Sequence, residues 1–137
     1  MERDEELERI RRKKLKELTN DASDRKTREK FAKPVEVNDY TLKDTITKNS
    51  LVVIDCWAAW CAPCRMIAPI IDELAQDYAD KILFGKLNVD ENRKTTMQYQ
   101  IMSIPTLLVF KNGLMVDRIV GVMPREILES KLIPHLQ

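Results

Sequence analysis

The chain has 137 residues, enough for one domain of ordinary size. A hydrophobic share of 44% beside 33% charged residues is globular, and a formal net charge of +1 offers no case for a nucleic-acid partner. No apolar run is long enough to span a bilayer, and the opening Met1-Glu2-Arg3-Asp4 lacks the apolar core of a secretory leader, so no membrane is expected and the expected location is the cytoplasm. Structural disulfides are rare there, and cysteine pairs more often serve catalysis or metal binding.

In chain order, residues 1–33 stand apart, with 12 basic and 9 acidic side chains. Leu7, Ile10 and Leu18 fall near helical spacing, which predicts a helix over about 4–18 followed by a polar linker. Pro34–Val37 reads as a short opening strand, and Asp39 or Thr41 is placed to cap a helix that runs to about Asn49. Leu51–Trp57 is dense in valine and isoleucine and reads as a buried strand. Ala62–Tyr78 follows as a helix with Ile67, Ile70, Ile71 and Leu74 on its apolar face, and Pro69 within it predicts a kink. A strand over Ile82–Val89 and a short helix over Glu91–Tyr99 come next. Strands over Thr106–Phe110 and Val116–Val120 are joined by the turn signal Asn112-Gly113. Pro124 opens a last helix that ends near Leu136. This order predicts an α/β domain over 34–137, a central mixed sheet with helices on both faces.

The chemistry concentrates at Trp60-Cys61-Ala62-Pro63-Cys64. Two intervening residues let both sulfurs meet within one turn at a helix start. The unpaired N–H groups and positive end of that helix favour thiolate over thiol. Pro63 occupies an early helical position where its missing N–H costs no intrahelical bond. Cys61, nearer the entrance, is the expected attacking thiolate, and Cys64 the resolving thiol. Two alternatives are a structural pair and half of a zinc site. Zinc wants four ligands, and only Cys56 and His135 remain as sulfur or imidazole candidates, without a recognisable spacing. Arg65 lends modest electrostatic support or is simply a solvated surface residue.

Asp55 closes an apolar run, Val52-Val53-Ile54. Burial there would raise its proton affinity and equip it to exchange a proton with Cys64; the alternative is an exposed aspartate at a strand end. Lys86 on the following strand can tune Asp55, though edge lysines are common. Ile104-Pro105-Thr106 starts a strand where proline is permitted in either isomer. Trp57 reads as core packing, Trp60 as partly exposed beside Cys61, and Cys56 as a small core hydrophobe.

Taken together, Asp55, the Trp60–Cys64 segment, Lys86, Ile104-Pro105-Thr106 and Phe110-Lys111-Asn112-Gly113 resemble the thioredoxin family over about 34–137. The resemblance implies an exposed nucleophile at Cys61, a buried resolving thiol at Cys64, a proton-transfer aspartate at Asp55 with Lys86 as its partner, and a cis-proline at Pro105. It implies substrate contacts at Trp60, Ala62, Pro63, Ile104, Pro105, Gly121 and Val122, with backbone hydrogen bonds from Ile104 to an extended client. The implied activity is protein-disulfide reduction by a monomer, on client proteins, with electrons from a separate thioredoxin reductase or equivalent donor. The alternatives are a disulfide oxidase or isomerase of the same fold and a non-enzymatic partner-binding domain. No nucleotide fingerprint is present, and no cofactor is expected beyond the redox-active disulfide itself. The departures are Ala62 where glycine is usual, Ser103 where glycine is common, Cys56 in place of an aromatic residue, and the extension, whose charged start resembles those of some archaeal proteins.

Overall fold

The computed structural model describes residues 32–137, so the helix expected over about 4–18 and most of the linker after it lie outside the described residues. The elements are β1 (Val35–Glu36), α1 (Leu42–Lys48), β2 (Leu51–Trp57), α2 (Ala62–Asp77), β3 (Leu83–Asn88), α3 (Arg93–Gln98), β4 (Thr106–Lys111), β5 (Leu114–Val120) and α4 (Arg125–Leu132), followed by a 3-10 turn over Ile133–Leu136. The last helix thus changes type one residue before Pro134, which cannot donate the next α-helical bond. Helix α2 runs through Pro69 as one α-helix.

The five strands lie in the order β1-β3-β2-β4-β5. Strands β1, β3 and β2 are parallel, while β4 and β5 run antiparallel to their neighbours. The parallel pairs need crossovers, and helices supply them, whereas β4 and β5 need only a tight hairpin. Asn112 and Gly113 both take positive φ, 52° and 84°, the two left-handed positions that such a hairpin turn demands.

Strand β2 is central and buried along almost its whole length, so its side chains alternate between two cores. Leu51 and Val53 pack with Ile67, Ile71 and Leu74 of α2 and Leu128 and Leu132 of α4. Val52, Ile54 and Cys56 pack on the other side with Leu42 and Ile46 of α1, Leu87 and Phe110. The expectation of a mixed sheet covered on both faces is therefore met.

The capping expected before α1 is different. Thr41 occupies the cap position without a side-chain bond into the helix. Asn38 does the local work instead, its Oδ1 accepting from the N–H groups of Tyr40 (2.8 Å) and Thr41 (3.0 Å). Asp39 turns to another helix: its Oδ1 accepts from the Thr95 N–H (2.9 Å) and hydroxyl (2.8 Å), and its Oδ2 from the Lys94 N–H (3.3 Å). In return the Asp39 N–H donates to Oδ1 of Asn92 at 2.9 Å. Tertiary proximity redirects a residue that local sequence assigns to its own helix. Burial is the largest single influence on the Asp39 carboxyl and raises its proton affinity. The hydrogen bonds from Thr95 and Lys94 together outweigh it, so the group sits below its ordinary pKa.

Candidate active site

The site forms where the C-terminal end of β2 passes into α2. Cys61 immediately precedes the helix with extended backbone, and Cys64 lies within its first turn. The two are joined by a disulfide with their Cα atoms 5.3 Å apart. The Cys64 N–H donates to Sγ of Cys61 at 3.2 Å, so the helix start presents a backbone donor to that sulfur. The carbonyl oxygen of Ile104 lies 3.8 Å from the same sulfur.

The resemblance implies an exposed Cys61 over a buried Cys64, but in the disulfide both residues are closed to solvent, at 3% and 4% exposure. Each covers the other, and Ala58, Trp57, Val89 and Ile104 pack around them. What differs is their surroundings. Cys61 is flanked by exposed Trp60, Ala62 and Pro63, whereas Cys64 lines an inner pocket.

That pocket measures about 370 Å³ and is lined by Asp55, Trp57, Ala58, Ala59, Cys64, Arg65, Ala68 and Lys86. Asp55 sits within β2 rather than at its edge and is only 2% exposed, which overturns the alternative of a solvated strand-end carboxylate. Among the described residues its Oδ1 has no hydrogen-bond partner. Burial is the main cause that pushes its pKa up to about 6, Lys86 opposes the shift, and Asp72 adds to it. Lys86 is the register partner of Asp55 across the parallel pair β2–β3. Arg65 donates to the Ala59 carbonyl at 2.8 Å and is exposed, a surface role with one backbone bond.

The next residue along, Cys56, faces the opposite core and is fully buried. Burial first, then the neighbouring Asp55, push its thiol up to about 12. It does not join the other two cysteines. His135 lies 3.4 Å from Asp117 instead of near sulfur. No group of three or more metal-ligating side chains occurs among the described residues.

The Ile104–Pro105 peptide bond is cis. The carbonyl of Pro105 accepts from the Gly121 N–H at 2.9 Å, which ties the end of β5 to the start of β4. Gly121 takes φ of 92°, a conformation open to glycine. Val122 beside it is 38% exposed. Trp60 is 69% exposed, and its indole Nε1 donates to Oδ2 of Asp90 at 2.9 Å. Sequence reading does not single out Asp90; its position just past the end of β3, in the loop leading to α3, is the available signal.

A family model described as Thioredoxin matches residues 33–133. The chain is 48% identical over 101 residues to a thioredoxin of Alicyclobacillus acidocaldarius subsp. acidocaldarius, covering 74% of this chain and 96% of the relative. It is 48% identical over 101 residues to thioredoxin 1 of Synechococcus elongatus, covering 73% and 94%. Among solved structures, a mutant thioredoxin from Halobacterium salinarum NRC-1 superposes with a TM-score of 0.73 at 29% identity, over 78% of this chain and 94% of that one.

Proposed function

The chain belongs to the thioredoxin family, and from that premise we propose that it is a protein-disulfide reductase in which Cys61 attacks and Cys64 resolves. Family membership and the Cys61–Cys64 disulfide together make it a thiol–disulfide oxidoreductase that works by dithiol–disulfide exchange. The observation that carries the assignment of roles is the Cys64 N–H on Sγ of Cys61, a donor that favours a thiolate at Cys61 in the reduced protein.

The Cys61 thiolate attacks one sulfur of a client disulfide. The client S–S bond breaks, a Cys61–client disulfide forms, and the first client sulfur leaves as a thiolate that takes up a proton. Asp55, ionised above its pKa of about 6, accepts the proton of Cys64 through the pocket they share. The Cys64 thiolate then attacks Sγ of Cys61. The mixed disulfide breaks, the Cys61–Cys64 disulfide forms, and the client leaves with both sulfurs reduced. Two electrons have passed to the client, and a donor must return two to the chain.

The client contacts in this reading are Trp60, Ala62, Pro63, Ile104, Pro105, Gly121 and Val122, supported by the Ile104 carbonyl beside Sγ of Cys61, the Gly121 N–H on the Pro105 carbonyl and the exposure of Trp60 and Val122. Family membership implies redox partner proteins and a reductase donor; a flavoprotein thioredoxin reductase or equivalent is the donor proposed. The dithiol is complete within one chain, so the acting unit is the monomer. The thioredoxin domain is taken as 34–137 with residues 1–33 as an extension, since the family model begins at residue 33. A cytoplasmic location goes with the reading, because a reducing pair needs a compartment where thiols are kept reduced.

The test is the reduction potential of the Cys61–Cys64 pair, equilibrated against a glutathione or dithiothreitol couple. The reference value for thioredoxin itself is about −270 mV, and that for protein disulfide isomerase about −180 mV. A potential near the first supports reduction; one near the second moves the chain to disulfide formation or isomerisation. In cell extract, Cys64→Ser should trap mixed disulfides with clients. A Cys61→Ser variant that keeps full turnover would instead sink the enzymatic reading.

A further inference from the structure

Three parallel strands meet in register at one row. Glu36 of β1 pairs with Lys86 of β3, and Lys86 pairs with Asp55 of β2. Side chains at directly paired positions leave the sheet on the same face, so the row reads carboxylate, ammonium, carboxylate. Glu36 and Lys86 also line a second pocket of about 580 Å³ together with Asp72 and Gln76 of α2 and Lys33 ahead of β1. Lys86 therefore borders both this outer pocket and the inner one that holds Asp55 and Cys64. Among the described residues it closes no ion pair with either side. A single ammonium stands between Asp55 on one side and Glu36 and Asp72 on the other.

We propose that Glu36 is a positioning residue for the exchange reaction: it shares the Lys86 ammonium with Asp55 and so sets how much positive charge faces the carboxylate that trades a proton with Cys64. The inference rests on the reading of Asp55 as that proton carrier. An ammonium committed wholly to Asp55 would hold it as a carboxylate and make it a weak base. Glu36 and Asp72 draw the ammonium outward and leave Asp55 partly uncompensated. Lys86 lowers and Asp72 raises the proton affinity of Asp55, each by its own charge. Glu36 stands two strand spacings from Asp55, roughly 10 Å, which is about one Debye length at ordinary ionic strength. Its influence must pass mainly through Lys86. The other charged groups facing these pockets are Arg65 of α2 on the inner side and Lys33 on the outer, and Glu91 lines a third pocket that Glu36 and Lys86 share. Cys56 leaves β2 on the opposite face.

The experiment follows the Asp55 side-chain carboxyl carbon by NMR across pH in the full chain, in Glu36→Gln, Glu36→Asp, Lys86→Gln and the Glu36→Gln/Lys86→Gln double variant. Glu36 is exposed, so the isosteric change leaves the fold intact. Glu36→Gln should lower the Asp55 midpoint by about half a pH unit, and Glu36→Asp should leave it near the parent value. Without Lys86, the Glu36 change should no longer move the midpoint. An unmoved midpoint in Glu36→Gln, or the same movement with and without Lys86, overturns the proposal while leaving the role of Asp55 intact. Disulfide-reduction rates of the same proteins supply the second readout. If the Asp55 midpoint moves while the acid limb of the rate profile stays put, the proton-carrier reading fails, and the role of Glu36 in the reaction falls with it.

Discussion

Asp55 and Cys56 are neighbours on the central strand, at equal depth, and their fates are opposite. Asp55 leaves β2 toward α2 and meets a pocket that Cys64 and Lys86 also line. Cys56 leaves toward α1 and packs into an apolar cluster with Leu42, Ile46, Leu87 and Phe110. Both acquire a raised pKa, to about 6 and about 12, and in both burial is the largest cause. The difference is that one shift ends near neutrality, where a proton can come and go, and the other ends where the thiol never ionises. Strand parity alone separates the carboxyl proposed to carry a proton from an inert thiol.

The contrast can be broken most violently at the cysteines. Cys61→Ser should reduce disulfide-reduction turnover by about a thousandfold or more, whereas Cys56→Ser or Cys56→Ala should leave the rate per folded molecule unchanged. A Cys56 variant that slowed turnover comparably would mean that the two faces of β2 are not separate.

Next in size is stability. Asp55 has a folded pKa of about 6, above its ordinary value of 3.8. The folded chain therefore binds more protons than the unfolded chain between those values, so Asp55 is harmless below pH 4 and destabilises progressively as pH rises through about 6. Asp55→Asn should raise stability at pH 7 by about 3 kcal/mol and flatten its pH dependence over that window, read from urea unfolding at several pH values. The same variant should lose the acid limb of the turnover profile. Equal stability of the parent at pH 4 and pH 7 would contradict the buried-carboxylate account.

Cys56→Ala should cost about 1 kcal/mol through lost packing, with no pH dependence below pH 9. In the native reduced protein at pH 8, iodoacetamide should modify Cys61 and spare Cys56 until denaturant is added, as mass mapping would show. The smallest effect belongs to the surface: Trp60→Phe removes the bond to Asp90 and should change stability by less than about 1 kcal/mol. Its influence should appear in KM for a protein client and leave a small disulfide reagent unaffected.

Much of the fold and the site is legible in the residues alone. Val52-Val53-Ile54 marks a buried strand, the Asn112-Gly113 pair marks the hairpin, and Cys61 and Cys64 mark the site, because each signal is carried by adjacent residues. The isomer of Pro105 is not legible, since either form suits a strand start and tertiary context chooses. The burial of Cys61 escapes sequence reading because closing the disulfide packs both sulfurs against Ile104. Asp39 points by its local sequence to the wrong helix, because its partners, Lys94 and Thr95, lie 55 and 56 residues away. Glu36 carries no signal for the same reason: nothing local connects it to Lys86 and Asp55, and only parallel register sets the three in a row.

The crossed bonds between Asp39 and α3 make a clasp, with consequences for how the molecule comes apart. Helices α1 and α3 have seven and six residues, too few to persist alone in water. With Asp39 holding the Thr95 N–H and Asn92 holding the Asp39 N–H, the two helix entrances must open as one unit. Because the hydrogen bonds from Thr95 and Lys94 hold the Asp39 carboxyl below its ordinary pKa, the ionised form that the clasp uses persists to lower pH than in a free aspartate.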